Sequence, residues 1–563
     1  MRKIQKEQIS EMIMTLEEAC LELGRLSGDG FVNLCAGTQE FLIELYKYVE
    51  RVLGVKCRLA TLLAVFNERL CETANGECPV SQLTELICEI KAEASGLQPD
   101  TLEVAFFCYK ASMADSLESV YLAAKEDPSC DAFFIPIPYF EWDENGCFGP
   151  THFDGVDSYP EWYELTDWKK YDVEARRPDA IFIMNPYDGD NNVTSVYPDF
   201  YSERLKKFTD TLVYVEYGLP YWVYGKPEAE ELEEEYRKNG VILPAHLHCD
   251  FVVEYSHELT SSCKQVLKIR TDILRMFGIS ELSSEDKFVA LGSPKFDKVL
   301  LAKREDYVLT PDWDEKIGNK KVVLYNTGLS EFLKSSGQQT IACGEYPPEE
   351  SWYFKKVCSV IEAFSEREDV ILWWRPHPLF ESTLRSMREE LCEEYASIVK
   401  SFKESGKGIF DSSDDFHRAI VWSDALISDE SSLLLLYAAT GKPFCVPSIT
   451  KALPEPEHDT GEDFSAPLAA RLEQMRAAKG ANVGDWNVCI WWDNFLEEHV
   501  MKNLHYDNFI PRFLDFVVHP EKYPETEEYR RLQLQMIQDF VVNPDGTAGK
   551  KIYEFIKGKV LEE

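Results

Sequence analysis

Short apolar runs alternate with amphipathic helical patterns from about residue 100 onward, and this alternation constrains the fold more than any other feature of the sequence. The runs are Val104–Tyr109, Ala132–Ile137, Ala180–Met184, Leu212–Val215, Phe251–Val253, Phe288–Leu291, Lys321–Tyr325, Val370–Trp374, Ala425–Ile427 and Pro443–Val446. Helical patterns such as Leu117–Lys125 and Ser261–Met276 lie between several of them. Repeated β-α units predict parallel sheets covered by helices. We therefore predict an α/β fold with two doubly wound domains around a cleft.

The pattern divides the chain into four predicted units. Residues 1–98 show apolar residues at helical spacing, for example Ile9, Ile13, Leu16 and Cys20, which predicts a helical bundle that caps the molecule or mediates dimerisation. The first α/β domain is predicted over 99–310 and the second over 311–485. The last unit, 486–563, is again helical, and we expect it to pack back on the first domain.

Charge narrows the possible partners. The 563 residues include 59 Lys and Arg against 99 Asp and Glu, a formal charge of −40. Such a field repels polyanions, so we expect no nucleic-acid partner and at most weak peripheral contact with a membrane. The N-terminus carries charges where a signal peptide needs an apolar stretch. Its 16 cysteines include no CxxC pair, which is typical of reduced thiols, so we expect a cytoplasmic protein, with any membrane contact at the inner face of the cell membrane.

In open α/β sheets ligands bind beyond the carboxyl ends of the strands, so we expect the catalytic and binding residues in the loops that follow the strands. One such loop reads Ser428–Asp429–Glu430–Ser431–Ser432. A helix is predicted to begin at Ser431 and Ser432, and free backbone amides at a helix start can bind phosphate. A plain capped helix explains the same residues equally well.

Two further loops with candidate residues follow predicted strands of the second domain. Arg375 and His377 alternate with two prolines, which keeps both residues extended, and a cation beside an imidazole can bind a diphosphate or protonate a leaving phosphate. Asn326, Thr327 and Gly328 follow the first strand of that domain, where Asn and Thr offer hydrogen-bond donors and Gly permits close approach of a ligand. A surface turn is the alternative for His377.

In combination these motifs resemble the CDP-glycerol glycerophosphotransferase family of teichoic acid biosynthesis, over most of residues 100–560. The matching segments are Arg375–Pro376–His377–Pro378, Ser423–Asp424–Ala425–Leu426–Ile427–Ser428–Asp429–Glu430–Ser431–Ser432 (with Glu430 in place of the usual Tyr), Gly292–Ser293–Pro294–Lys295–Phe296–Asp297 and Asp545–Gly546–Thr547–Ala548–Gly549–Lys550–Lys551–Ile552. The resemblance implies a GT-B fold. It also implies metal-independent transfer of a polyol phosphate, which needs no cofactor.

The chain departs from this family at the motif that carries its general base, a histidine in the first domain. The matching stretch is Glu216–Tyr217–Gly218–Leu219–Pro220. A tyrosine with an ordinary pKa near 10 is a poor base at neutral pH, whereas Glu216 could serve if burial raised its pKa. Glu216, Tyr217 and His377 are therefore our candidate catalytic residues.

The sequence gives less support to the metal-binding and nucleotide-binding motifs of other enzyme classes. Asp188–Gly189–Asp190 has the D-x-D form of metal-dependent sugar transferases but lies among turn residues, and His246–Leu247–His248 lacks an evident third ligand. No P-loop, GxGxxG or G-x-S-x-G motif occurs. We therefore predict no metal site.

These observations predict a transferase of the cell envelope that moves a polyol phosphate, glycerol phosphate first, from a CDP-activated donor to an acceptor hydroxyl on a glycan or polyol phosphate, releasing CMP. Arg375, Asn326, Thr327, Gly328, Asp429, Glu430, Ser431 and Ser432 are the candidate substrate-binding residues. Two alternatives stay open: a GT-B glycosyltransferase that uses another nucleotide-activated donor, and a catalytically degenerate nucleotide-binding or scaffold protein.

Overall fold

The structure is a computed structural model, which describes residues 1–142, 147–191, 194–219, 242–276, 285–328, 351–413, 415–429, 431–445, 509–523 and 526–562. Four helices form an N-terminal bundle with its own apolar core: α1 (Lys3–Leu23), α2 (Asp29–Leu53), α3 (Arg58–Ala74) and α4 (Val80–Ser95). The side chains predicted from helical spacing, such as Ile9, Ile13 and Leu16, lie in that core. Arg2 anchors the bundle by pairing with Glu103 (2.9 Å) and Asp179 (2.8 Å) of the next unit.

A sheet of six parallel strands in the order β2-β1-β5-β7-β8-β9 forms the centre of the first α/β unit. Its strands are β1 (Leu102–Cys108), β2 (Cys130–Pro136), β5 (Ala180–Ile183), β7 (Thr211–Val215), β8 (Phe251–Glu254) and β9 (Phe288–Ala290). A small antiparallel sheet that the sequence did not predict projects from this unit; it contains β3 (Tyr139–Trp142), β4 (Phe148–His152) and β6 (Thr194–Val196).

The described helices of this unit are α5 (Glu118–Glu126), α6 (Val173–Arg176), α7 (Ser202–Leu205), α8 (Pro244–His248), α9 (His257–Met276) and α10 (Pro294–Leu301). Buried apolar residues run along the central strands β1, β5 and β7, for example Phe106 and Phe182, whose rings stack 4.8 Å apart. Continuous burial of this kind is expected where helices cover both faces of a parallel sheet.

The second unit has a five-stranded parallel sheet in the order β12-β11-β10-β13-β14. Its strands are β10 (Lys321–Thr327), β11 (Val370–Pro376), β12 (Gly408–Phe410), β13 (Ala425–Ser428) and β14 (Phe444–Cys445), and its helices are α11 (Pro311–Ile317), α12 (Ser351–Ser365), α13 (Phe380–Met387), α14 (Cys392–Ser405), α15 (Phe416–Trp422) and α16 (Leu433–Ala439). The strand order reverses between β10 and β13, and ligands of doubly wound sheets bind beyond the carboxyl ends of strands at such a switch point.

The last described helices cross from the second unit to the first. Helices α17 (Phe509–Val518) and α18 (Thr526–Phe540) contribute to the core of the second sheet, whereas α19 (Ala548–Glu562) packs against α5 in the core of the first. The prediction of a GT-B-like α/β architecture, with two doubly wound parallel sheets and an N-terminal helical region, is confirmed.

Candidate functional site

Asp429 is the central side chain at the switch point of the second sheet. It follows β13, and its carboxylate accepts hydrogen bonds from the Gly328 amide (2.9 Å), the Tyr353 hydroxyl (2.6 Å) and the Lys356 ammonium (2.5 Å). Lys356 and Asp429 are 3% and 2% exposed, so this is a buried ion pair. The sequence did not single out Lys356 or Tyr353, because both lie on α12, outside any recognised motif. The pair fixes the loops after β10 and β13 at the switch point.

Asn326 and Thr327 lie beside this pair, and their side chains bond within the sheet. The Asn326 amide donates to the Ser428 hydroxyl (3.0 Å), and the Trp374 indole donates to the Thr327 hydroxyl (3.4 Å). Both residues are buried. The donors expected to face a substrate thus connect neighbouring strands, and a substrate-binding role for them stays a prediction.

The loop with the serine doublet presents hydroxyls beside Asp429. Ser431 is half-buried and its hydroxyl accepts the Leu433 amide (3.2 Å), while Ser432 is exposed. Helix α16, which follows, has seven residues, so its dipole is small and any phosphate contact here depends mainly on hydroxyl and amide groups. Glu430 lies outside the described residues.

Arg375 and His377 lie at the end of β11, next to β10. The Arg375 guanidinium is buried and donates to the Ser413 carbonyl (2.7 Å). The Leu379 amide donates to His377 Nδ1 (3.1 Å), so the neutral ring carries its proton on Nε2. Burial, with a smaller contribution from Arg375, lowers the pKa of His377 to about 4. At neutral pH His377 is therefore a neutral hydrogen-bond donor, a form that favours stabilising a leaving phosphate over protonating it.

A buried cluster connects the two sheets. Asp115, which follows β1, accepts from Lys295 at the start of α10 (2.7 Å) and bonds to His417 Nε2 on α15 of the second unit (3.0 Å). Although burial raises the pKa of Asp115, Lys295 and His417 together lower it well below the ordinary value. The Lys295 ammonium lies 5.7 Å from the ring of Phe416, and the Arg375 guanidinium lies 6.0 Å from the same ring. The carboxyl ends of the two sheets therefore approach each other at this cluster.

Glu216 and Tyr217 follow β7 on the first side. The Gly218 amide donates to Glu216 Oε1 (2.7 Å), and the Tyr217 hydroxyl bonds to that of Tyr187 (3.0 Å). Burial raises the pKa of Tyr217 well above its ordinary value, so even less of the basic phenolate form is present at neutral pH. Burial also raises the pKa of Glu216, against the opposing effect of Gly218, Tyr214 and Lys295. Glu216 therefore meets the physical condition for a base better than Tyr217.

Two residues that the sequence did not place together lie beside Glu216. One is Glu254, the last residue of β8, and the other is His246 on α8; one ligand atom from each of the three residues lies within 4.8 Å of the others. Within the part of the chain that the structure describes, this is the one group of three with metal-ligand spacing. The Leu243 amide donates to His246 Nδ1 (3.2 Å), so the neutral ring holds its proton on Nε2, which does not suit metal ligation through that atom.

The other two motifs considered for metal have structural partners. The Ser202 hydroxyl bonds to both Asp188 (2.7 Å) and His248 Nδ1 (2.8 Å), and the Ser202 amide donates to Asp188 (2.8 Å). Asp188 has a left-handed backbone, φ +48°, as expected of a turn residue. The carboxylate of the D-x-D motif is thus used to hold a turn.

The remaining motifs of the family resemblance join α19 to the first sheet. Asp297 accepts the Ala548 amide (3.0 Å), the Gly549 amide (2.7 Å) and the Ser119 hydroxyl (2.7 Å). Gly292 has φ +98°, and a Cβ there would lie 2.4 Å from the Val542 carbonyl oxygen. Asp297 and Gly292 thus hold the C-terminal segment against the first sheet.

No protein-family profile and no curated protein sequence matches the chain. Solved structures with similarity to it include the wall teichoic acid polymerase TagF (13% identity over 89% of this chain and 98% of that one, TM-score 0.39) and a putative UDP-N-acetylglucosamine 2-epimerase from Listeria monocytogenes (14% identity, 82% and 98%, TM-score 0.40). A third is the UDP-GlcNAc 2-epimerase from Neisseria meningitidis bound to UDP-GlcNAc (11% identity, 81% and 100%, TM-score 0.39). Among the described residues, no helix is both long and apolar enough to span a bilayer.

Proposed function

We propose that the chain is a transferase that moves a polyol phosphate, glycerol phosphate first among the candidates, from a CDP-activated donor to an acceptor hydroxyl and releases CMP. The motif resemblance at Arg375–His377 and Ser423–Ser432 supports the choice of donor. The observation that carries the proposal is that side chains from the carboxyl ends of both sheets come together at the Asp115–Lys295–His417 cluster. A carboxylate with a raised pKa lies on one side of the cluster, and an arginine with a neutral histidine lies on the other.

In this mechanism the donor diphosphate lies on the second side. Arg375 and the Ser431 and Ser432 hydroxyls bind its oxygens, and His377 Nε2–H donates to the phosphate that leaves with CMP. The acceptor hydroxyl enters from the first side, where Glu216 takes its proton as the new P–O bond forms and the P–O bond to CMP breaks. In-line transfer of this kind depends mainly on positioning and on stabilisation of charge, which preorganised donors supply.

The test measures CMP release from CDP-glycerol, CDP-ribitol, UDP-sugars and CMP-sugars, with water or a polyol phosphate as acceptor. We expect release from a CDP-polyol and about a 10²–10³-fold lower rate in His377→Ala, because a donor to the leaving group is lost. His519→Ala, a histidine beyond the end of α17, is the matched control and should keep the wild-type rate. Unchanged turnover in His377→Ala would remove His377 from the mechanism. Nucleotide binding without CMP release from any donor would instead favour a binding or scaffold protein.

A further inference from the structure

Two neighbouring strands of the first sheet each end at a glutamate. Strands β7 and β8 are parallel, and Val215 is paired in register with Val253. Glu216 and Glu254 follow these two residues directly, and the Glu216 amide donates to the Val253 carbonyl (3.2 Å). Side chains at equivalent positions of adjacent strands point to the same face. The register thus brings the two carboxyl groups together, which agrees with their separation of at most 4.8 Å.

The surroundings supply little positive charge to this pair. Glu254 is 1% exposed; within the described part of the chain its Oε2 has no hydrogen-bond partner, and its Oε1 accepts only a long bond from the Cys263 thiol (3.7 Å). Lys295 lowers the pKa of Glu216, but its ammonium is bonded to Asp115. The titratable groups that face the two carboxyls are Tyr214, Tyr217, Tyr187, Lys295, His246 and Cys263.

Two carboxylates this close, one buried and the other half-buried, cannot both stay ionised without compensation. Burial, and then the charge of Glu216, raise the pKa of Glu254 well above its ordinary value. A proton or a divalent cation could compensate the second charge. The hydrogen bond from the Leu243 amide to His246 Nδ1 places the ring proton on Nε2, so the third group of the cluster has no lone pair to offer a metal there. The local chemistry therefore favours the proton.

We propose that Glu216 and Glu254 form a carboxyl pair that holds one proton, with Glu254 as the protonated member and Glu216 as the member that accepts the proton of the acceptor hydroxyl. Glu254 is then a positioning residue, which acts on the substrate through Glu216. Only the second half of the proposal rests on the proposed function, because the shared proton is a property of the ligand-free chain. During transfer the hydroxyl proton moves to Glu216, so both carboxyl groups are neutral until that proton leaves to water.

The first experiment detects the proton without any substrate. Infrared difference spectra of the full chain with ¹³C-labelled glutamate, titrated with pH, should show a protonated carboxyl at pH 7 that is absent from Glu254→Gln. Glu285→Gln, an exposed glutamate before β9 at the amino end of the sheet, is the matched control and should retain the signal. No protonated carboxyl in the wild type, or the same signal in Glu254→Gln, overturns the proposal. A stoichiometric divalent metal that Glu254→Gln loses, measured by mass spectrometry, also overturns it.

The second experiment follows the pH dependence of kcat/KM for CMP release. Glu254→Gln should keep the acid limb at the wild-type pH, because the amide is a neutral partner of the same shape. Glu254→Ala should move that limb to lower pH by about one unit, because water enters and solvates the Glu216 carboxylate. An unmoved limb in both variants means that Glu254 does not act on Glu216. If the wild type releases no CMP but the infrared signal is present, the proposed function fails and the carboxyl pair remains.

Discussion

The carboxyl ends of the two parallel sheets have the same architecture and opposite chemistry. At the end of the second sheet each buried charge has a close partner: Asp429 accepts three hydrogen bonds, one of them from Lys356. At the end of the first sheet Glu254 is buried beside a second carboxyl group, and among the described side chains its one hydrogen-bond partner is the Cys263 thiol. The fold determines where these side chains lie, but it does not determine their charge. Asp429 therefore acts as a fixed anchor, as Asp115 does on the first side through Lys295 and His417, whereas Glu254 has no cationic partner among the described residues and is our proposed proton holder.

The same substitution, a carboxyl replaced by its amide, should consequently have different effects at the two ends. Asp429→Asn leaves the Lys356 ammonium buried without its counter-charge, and we expect the free energy of unfolding to fall by about 3–5 kcal/mol. Urea denaturation at pH 8 measures this change.

Glu254→Gln is the counterpart in the first sheet and should be neutral or stabilising at pH 8. Because the pKa of Glu254 is raised in the folded protein, the folded state binds more protons than the unfolded state above about pH 4.3, so this group destabilises the protein increasingly as pH rises. The amide removes that effect. Equal losses of stability in the two variants would contradict the difference between the two ends.

The packing of the C-terminal helix α19 against α5 contributes to the stability of the first α/β unit, and two glycines of α19 test this contribution. Gly549 is the second residue of α19, and a Cβ there would lie 2.1 Å from the Ser119 hydroxyl oxygen and 2.4 Å from its carbonyl carbon. Gly549→Ala therefore requires a backbone shift, and we expect a loss of about 1–3 kcal/mol in the free energy of unfolding. Gly558 lies in the same helix with nothing within 4 Å of its added Cβ, so Gly558→Ala should gain about 0.5–1 kcal/mol. Thermal melts of the two variants should shift in opposite directions, and shifts in the same direction would contradict the close contact at Gly549.

The sequence predicted the large elements of both sheets because long apolar runs and helical spacing are local signals. It missed β12 and the antiparallel strands β3, β4 and β6, which have three to five residues each. The antiparallel strands mix polar and apolar residues without a clear period, and β12 has only two apolar residues, which follow a glycine.

The sequence suggested candidate residues where one loop carries a recognisable motif, as at Arg375–His377 and Ser431–Ser432, and a substrate-binding role for them stays a prediction. Glu254, Lys356 and His417 were missed because their importance comes from partners far away in the chain: Glu216, Asp429 and Asp115. One local signal was present, since Glu254 and Glu216 each end a run of apolar residues that forms a buried strand. Recognising the pair required the register of β7 and β8, which composition does not supply.

Arg375 tests the proposed anion-binding role of the second end. Arg375→Lys keeps the charge but loses the planar set of donors, so we expect about tenfold weaker binding of CDP, measured by calorimetry. The control is Arg385→Lys on α13, an exposed arginine paired with Glu381, which should bind CDP as the wild type does. Unchanged affinity in Arg375→Lys would show that the donor lies elsewhere.

His377 provides the smallest and most specific contrast, because a half-buried imidazole with a lowered pKa responds to pH in the opposite direction to a carboxyl with a raised pKa. Its pKa is about 4 in the folded protein and about 6.5 in an unfolded chain. Between these values the unfolded state binds more protons, so the free energy of unfolding increases with pH and is lost as pH falls from 7 toward 4. We expect the stability of the wild type relative to His377→Gln to fall by about 1–2 kcal/mol between pH 7 and pH 5, measured by urea denaturation. Parallel curves for the two proteins would mean that His377 is solvated, and the second end would then present an ordinary, protonatable histidine.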